Sequence, residues 1–134
     1  MYSSKLSVSI HLLSLVALHP DGPITSDWIA GSIHTNPALV RRLLVKLKRA
    51  GLIKTQTGMG VTGLAKPADK ISLLEVFRAV ESEQRLFDIH TDTNLNCPVG
   101  AKIEQVLTET YQKMQTNLEH ELGAVHLSQL VTLF

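Results

Sequence analysis

Apolar positions change their spacing several times along the chain, and each change marks an element. Leu6, Ile10, Leu13 and Val16-Ala17 form one helical stripe, widened by Leu12, Leu15 and Leu18. A first helix, buried on most sides, is therefore expected before the turn-forming run HPDGP at 19–23. A short helix follows over 26–33, with Ser26 or Thr25 as cap, Asp27 in its first turn, and Trp28, Ile29 and Ile33 on its apolar side. The best-specified element is 37–50: Asn36 is a capping residue, Pro37 takes the first helical position, and Gly51 follows a cationic last turn. Its Leu39, Val40, Leu43, Leu44 and Leu47 share one face. Arg41, Arg42, Lys46, Lys48 and Arg49 share the other, with Val45 the one apolar residue among them.

The period then shortens. LIKTQT (52–57) alternates like a strand, Gly58, Gly60 and Gly63 permit a tight turn, and GLAK (63–66) predicts the returning strand before Pro67. SLLEVFRAVES restores a helical pattern, with Ser72 three residues before Glu75 in capping-box spacing. From Glu83 to Cys97 no period holds, which predicts a loop with one short strand near 86–89. Val99, Ile103, Val106, Leu107, Tyr111, Met114, Leu118 and Leu122 predict a long helix over 98–122. A small apolar helix, LSQLVTLF, ends the chain.

Three helices followed at once by a glycine-bearing hairpin, with the third helix cationic, is the order of a winged helix-turn-helix. The major groove of B-DNA admits one α-helix, and phosphates attract the flanking cations. Wing glycines would let main chain approach the backbone. Read alone, the basic face is equally a solvated outer surface; the order of elements favours DNA. The fold class is thus mainly α, a three-helix core plus two-stranded wing, followed by a long helix whose apolar stripe needs a partner.

The stretch DWIAGSIHTNPALVRRLLVKLKRAGLIKTQTGMGVTGLAKPADKISLLEVFRAVE, residues 27–81, closely resembles the Rrf family of bacterial winged helix-turn-helix transcription regulators. Shared features are the IA pair, the leucine-spaced helix ending in AGLI, the wing ending in LA, and ISLLEV..AVE. The wing departs from the family: GMGVTGLA stands where GPGGGY.LA is usual. The resemblance implies that the recognition helix reads DNA through Asn36, Ala38, Leu39, Arg41 and Arg42. The two arginines replace the Glu and Gln of better-known members, implying a different operator. Lys46 and Lys48 are implied phosphate contacts at most, Ser4 and Lys5 before the first helix are candidates for a backbone contact, and Thr57 and Met59 at the wing are further DNA-binding candidates. A homodimer with crossing long helices is implied as well, on a palindromic operator and acting as a repressor. The corresponding division is 1–81 for DNA binding, 82–97 as connecting and sensing loop, and 98–134 for dimerisation and a small helix packing back on the core.

Family members that carry an iron–sulfur cluster hold it with three cysteines before the long helix. This chain has one cysteine, Cys97. A protein-held cluster normally takes about four ligands, so a cluster-free member, with no cofactor, is expected. Cys97 precedes Pro98 at the expected start of a helix, where a thiol is acidified and open to oxidants or electrophiles; a small packed hydrophobe is the alternative. His90, Asp92 and Cys97 share one loop but lack the tight pairing of a metal site, so no metal is expected. His34, in the turn before the recognition helix, is a phosphate contact or plain solvent-facing surface.

Bulk properties narrow the remaining classes. Hydrophobic residues are 44% of the 134 and aromatics 4%, so the core is aliphatic, which suits helices. Net charge of +1 neither signals nor excludes nucleic acid, because distribution outweighs the sum. No uninterrupted apolar run reaches the length of a membrane span, the first apolar stretch lacks signal-peptide features, and a cytoplasmic protein is expected. Paired carboxylates, a Ser/His/Asp pattern and a phosphate-binding glycine loop are missing, so no enzyme is expected. The partners expected are double-stranded DNA, a second copy of the chain, and a small-molecule or oxidant signal; the alternative is a winged-helix module for protein–protein assembly.

Overall fold

The computed structural model describes residues 3–134. Helices α1 (Lys5–Leu18), α2 (Ser26–Ile33) and α3 (Pro37–Arg49) lead into strands β1 (Ile53–Gln56) and β2 (Gly60–Leu64). A 3-10 turn, Ala68–Lys70, precedes α4 (Leu73–Val80), then α5 (Ile103–Ala124) and α6 (Leu127–Val131). The core is aliphatic and continuous: Leu12, Leu13, Ile29, Val40, Leu43, Leu47, Leu52, Val76, Val80 and Leu127 are fully or almost fully buried.

Local chemistry accounts for the helix ends. The Thr25 hydroxyl caps α2 by accepting from Trp28 N at 3.1 Å, which decides between the two candidate caps. Asn36 Oδ1 accepts from Ala38 N at 2.8 Å at the start of α3, and Pro37 loses no helical hydrogen bond there. At the other end, Leu52 N donates to Leu47 O at 3.0 Å while Gly51 turns to φ +77°. That left-handed residue satisfies the last carbonyls and sends the chain into β1. Ser72 and Glu75 form the expected reciprocal capping box on α4.

β1 and β2 pair antiparallel with a bulge at Lys54/Thr55. The returning strand starts at Gly60, earlier than the 63–66 expected, because the turn is confined to Thr57–Met59. A third extended segment joins the wing: Ile24 and Val61 exchange backbone bonds of 3.0 and 2.8 Å. Gly60 sits at φ +99° with Ile24 O where a Cβ would stand, so only glycine fits.

The loop after α4 contains no strand; the short strand expected near 86–89 does not form. Its backbone is satisfied by a side chain instead: Leu86 N donates to Gln115 Oε1 at 2.9 Å, and Gln115 Nε2 donates to Gln84 O at 2.7 Å. The long helix starts at Ile103, not residue 98, since the chain from Leu95 to Lys102 is taken up by turns around Cys97 and Gly100. None of the residues of α5 is buried; Val106 and Met114 are exposed, while Arg78 of α4 reaches Glu119 at 3.7 Å. The tail returns to the core: Leu73 N donates to Val125 O and Leu127 N to Ile71 O, each at 2.9 Å.

Candidate nucleic-acid interface

Amphipathicity of α3 decides which of its residues face outward. Val40, Leu43 and Leu47 are buried, each contributing about 1.5–3 kcal/mol of apolar burial. Anchored by that face, the helix presents Arg41, Arg42, Val45, Lys48 and Arg49 to solvent. Arg41, Leu44, Val45 and Lys48 form one wall of a groove whose other wall is the wing: Thr55, Gln56, Thr57, Gly58 and Gly60. The hairpin is therefore set beside the recognition helix, and Arg41, Lys48 and Thr57 come together.

The other candidates lie elsewhere. Asn36, exposed, spends its side chain on the cap of α3; Ala38 and Leu39 follow half-buried in the first turn. Lys46 is turned toward α4, where its Nζ donates to Val80 O at 3.4 Å. With Arg49 and Arg78 it borders a separate depression. Met59 is exposed at the wing tip. Ser4 and Lys5 stand at the N-terminal end of α1, Ser4 exposed and Lys5 half-buried. His34 closes α2 in left-handed conformation, φ 60°, exposed.

Four contributors escaped the sequence reading. Asp27, assigned only to the first turn of α2, places its carboxylate 3.9 Å from the Arg41 guanidinium. Val45 is 55% exposed among the cations. Thr55 and Gln56 line the groove from β1. Only Val45 left a signal, as an apolar residue on a polar face. Trp28, expected on the apolar side of α2, is instead 46% exposed, its ring edge-to-face with His19 at 4.9 Å.

Cys97 is an exposed free thiol, which removes the packed-hydrophobe alternative. Backbone N–H groups of Gly100 and then Val99 point at its sulfur and lower the thiol pKa, against a smaller opposing effect of burial. Tight turning makes this possible: Gly100 lies so close to Asn94 O that a Cβ would not fit.

A three-helix core with a two-stranded wing beside a cationic third helix defines a winged helix-turn-helix protein. The chain belongs to the Rrf2 family, described as iron-dependent transcriptional regulators, which it matches over residues 2–133. It is a transcriptional regulator, not an enzyme. YwnA of Bacillus subtilis (strain 168), provisionally named an HTH-type transcriptional regulator, is 40% identical over 131 residues, 98% of this chain and 97% of YwnA. A crystal structure of a protein provisionally described as DNA-binding is 37% identical, with TM-score 0.76, covering 95% of this chain and 98% of that one. CymR (YrzC), the global cysteine regulator of B. subtilis, shares the fold at TM-score 0.71 and 20% identity, over 98% of this chain and 96% of CymR.

The family's description names iron, but the donors here do not fit an iron–sulfur cluster. Cys97 is the chain's one cysteine. Among the described residues no three His, Cys, Asp or Glu side chains converge on a metal position, and His90 Nε2 lies 3.1 Å from the backbone carbonyl of Asp92.

Proposed function

We propose that this regulator binds a palindromic operator as a homodimer and represses by occupying it. The observation that carries the reading is the groove between α3 and the wing, where Arg41 and Lys48 face the hairpin and Arg42 is exposed beside them. Asn36, Ala38, Leu39, Arg41 and Arg42 are the proposed base-reading set. Lys48, Ser4, Lys5, Thr57 and Met59 are proposed for the phosphate backbone, and Lys46, engaged with Val80, only as a lesser contact. Support for dimerisation comes from α5: a helix of 22 residues with no buried residue and an exposed apolar pair, Val106 and Met114, has a face free for a second copy.

The loop over 82–97 is proposed as the sensing element. It is fastened to α5 by Gln115 and by Phe87 against Tyr111 at 5.1 Å, so a change at exposed Cys97 would be felt by the dimer helix. Selection of bound duplexes from a random pool, run with reduced and oxidised protein, tests operator, half-site spacing and redox control together. A single palindromic motif, bound less by one redox form, is the expected outcome. Binding that ignores duplex sequence and salt would instead favour an assembly module, because phosphate contacts make affinity fall steeply with salt.

A further inference from the structure

We infer that Asp27 is a positioning residue for specificity: it holds the Arg41 guanidinium for a base edge and withholds it from phosphate. The inference rests on the DNA-binding reading above. The two side chains come from different helices, α2 and α3, and meet at 3.9 Å on the outward surface, with Asp27 81% and Arg41 59% exposed. An ion pair so open to water adds little to folding. A carboxylate at a surface meant for a polyanion also weakens binding to any duplex. Both costs make sense if the pair acts on selectivity rather than on stability or bulk affinity.

The nearest approach is of one terminal nitrogen of Arg41, at 3.9 Å a charge contact and not a hydrogen bond, so it occupies none of the guanidinium N–H donors. Arginine biased in this way by a nearby carboxylate can still present a two-pronged donor set to guanine O6 and N7. The carboxylate beside it repels phosphate, which makes Arg41 a poorer clamp for the backbone than a cation without such a neighbour. Arg42 and Lys48 differ: among the described residues no carboxylate oxygen lies within 4.0 Å of either. Arg41 is thus the cation of the helix that faces a carboxylate, while Arg42 and Lys48 have none beside them.

The test uses the full chain, the duplex selected from the random pool, and a scrambled duplex of equal length. Affinities are measured over a range of salt for wild type, Asp27→Ala, Arg41→Ala and the double variant, with thermal melting as a check on folding. In Asp27→Ala, binding to the scrambled duplex should tighten. Its log–log salt slope should steepen by about 0.9 for each phosphate newly contacted. The operator-to-scrambled ratio should fall by about tenfold, the scale of one lost base contact. In the Arg41→Ala background, removing Asp27 should leave the ratio unchanged. A wild type that prefers its operator, with the same preference in Asp27→Ala, would overturn the role of Asp27 alone. So would an equal effect of Asp27→Ala with and without Arg41. A wild type preferring no duplex would overturn this role together with the DNA reading.

Discussion

Leu86 N–H donates to the Oε1 of Gln115, at 2.9 Å, across 29 residues of sequence. The same amide group donates back to Gln84 O, so one side chain in the middle of α5 satisfies two backbone groups of an irregular loop. A loop without strand pairing has few other ways to fix its main chain. Gln115→Ala should accelerate amide hydrogen exchange at Leu86 and its neighbours, and lower overall stability by about 1 kcal/mol. Unchanged protection at Leu86 would refute the role of this clamp.

The wing gives a sharper contrast. Gly60→Ala places a methyl group against Ile24 O at φ +99° and should cost about 1–3 kcal/mol in strain, with more from the disturbed Ile24–Val61 pairing. Gly63→Ala, where a Cβ meets nothing within 4 Å, should be close to neutral. Denaturant melts of the pair decide it: equal stabilities would show that Ile24 does not constrain the hairpin.

On the cationic face, roles should separate by salt. Arg42→Ala should cost about 1–3 kcal/mol on the selected operator if it reads a base. Lys48→Ala should weaken all duplexes alike and reduce the salt slope by about 0.9 per phosphate lost. Lys46→Ala should change the slope least, because its Nζ is engaged by the Val80 carbonyl. Gel-shift titrations at several salt concentrations give all three.

Glu75 ties stability to pH. Burial raises its pKa, but the side-chain bond from Lys66 and those from Ser72 outweigh burial, leaving it below the usual 4.5. A folded-state value below the unfolded one means that the ionised form favours folding. That contribution is complete above the unfolded value and disappears as pH falls through the folded one. Glu75→Gln should therefore flatten the acid limb of the stability profile, whereas Ser72→Ala should cost about 1 kcal/mol at neutral pH through the lost cap. Both are read from melting temperature against pH.

Dimerisation is tested at Val106, 53% exposed on α5. Val106→Asp should leave the monomer's melting and helical content nearly unaltered but shift sedimentation to a monomer and remove most operator affinity. A Val106→Asp protein that remains a dimer would move the interface off this face.

Much of this protein was legible from spacing and punctuation alone. Asn36, Pro37 and Gly51 bounded α3 because caps, fixed φ and left-handed turns act within a few residues. The wheel of leucines and cations likewise told which side of α3 would be wet, and residues 27–81 carried the family pattern. Where reading erred, long-range contacts were in control. The return strand begins at Gly60, where the short turn at 57–59 ends and Val61 also pairs with Ile24, and the region near 86–89 stays irregular with its backbone satisfied by Gln115. Which cations of α3 face the wing and which face α4, and that Asp27 meets Arg41, depended on how helices distant in sequence pack. Local conformational preference is written residue by residue; the pairing of side chains across elements exists only once the aliphatic core has set their relative positions.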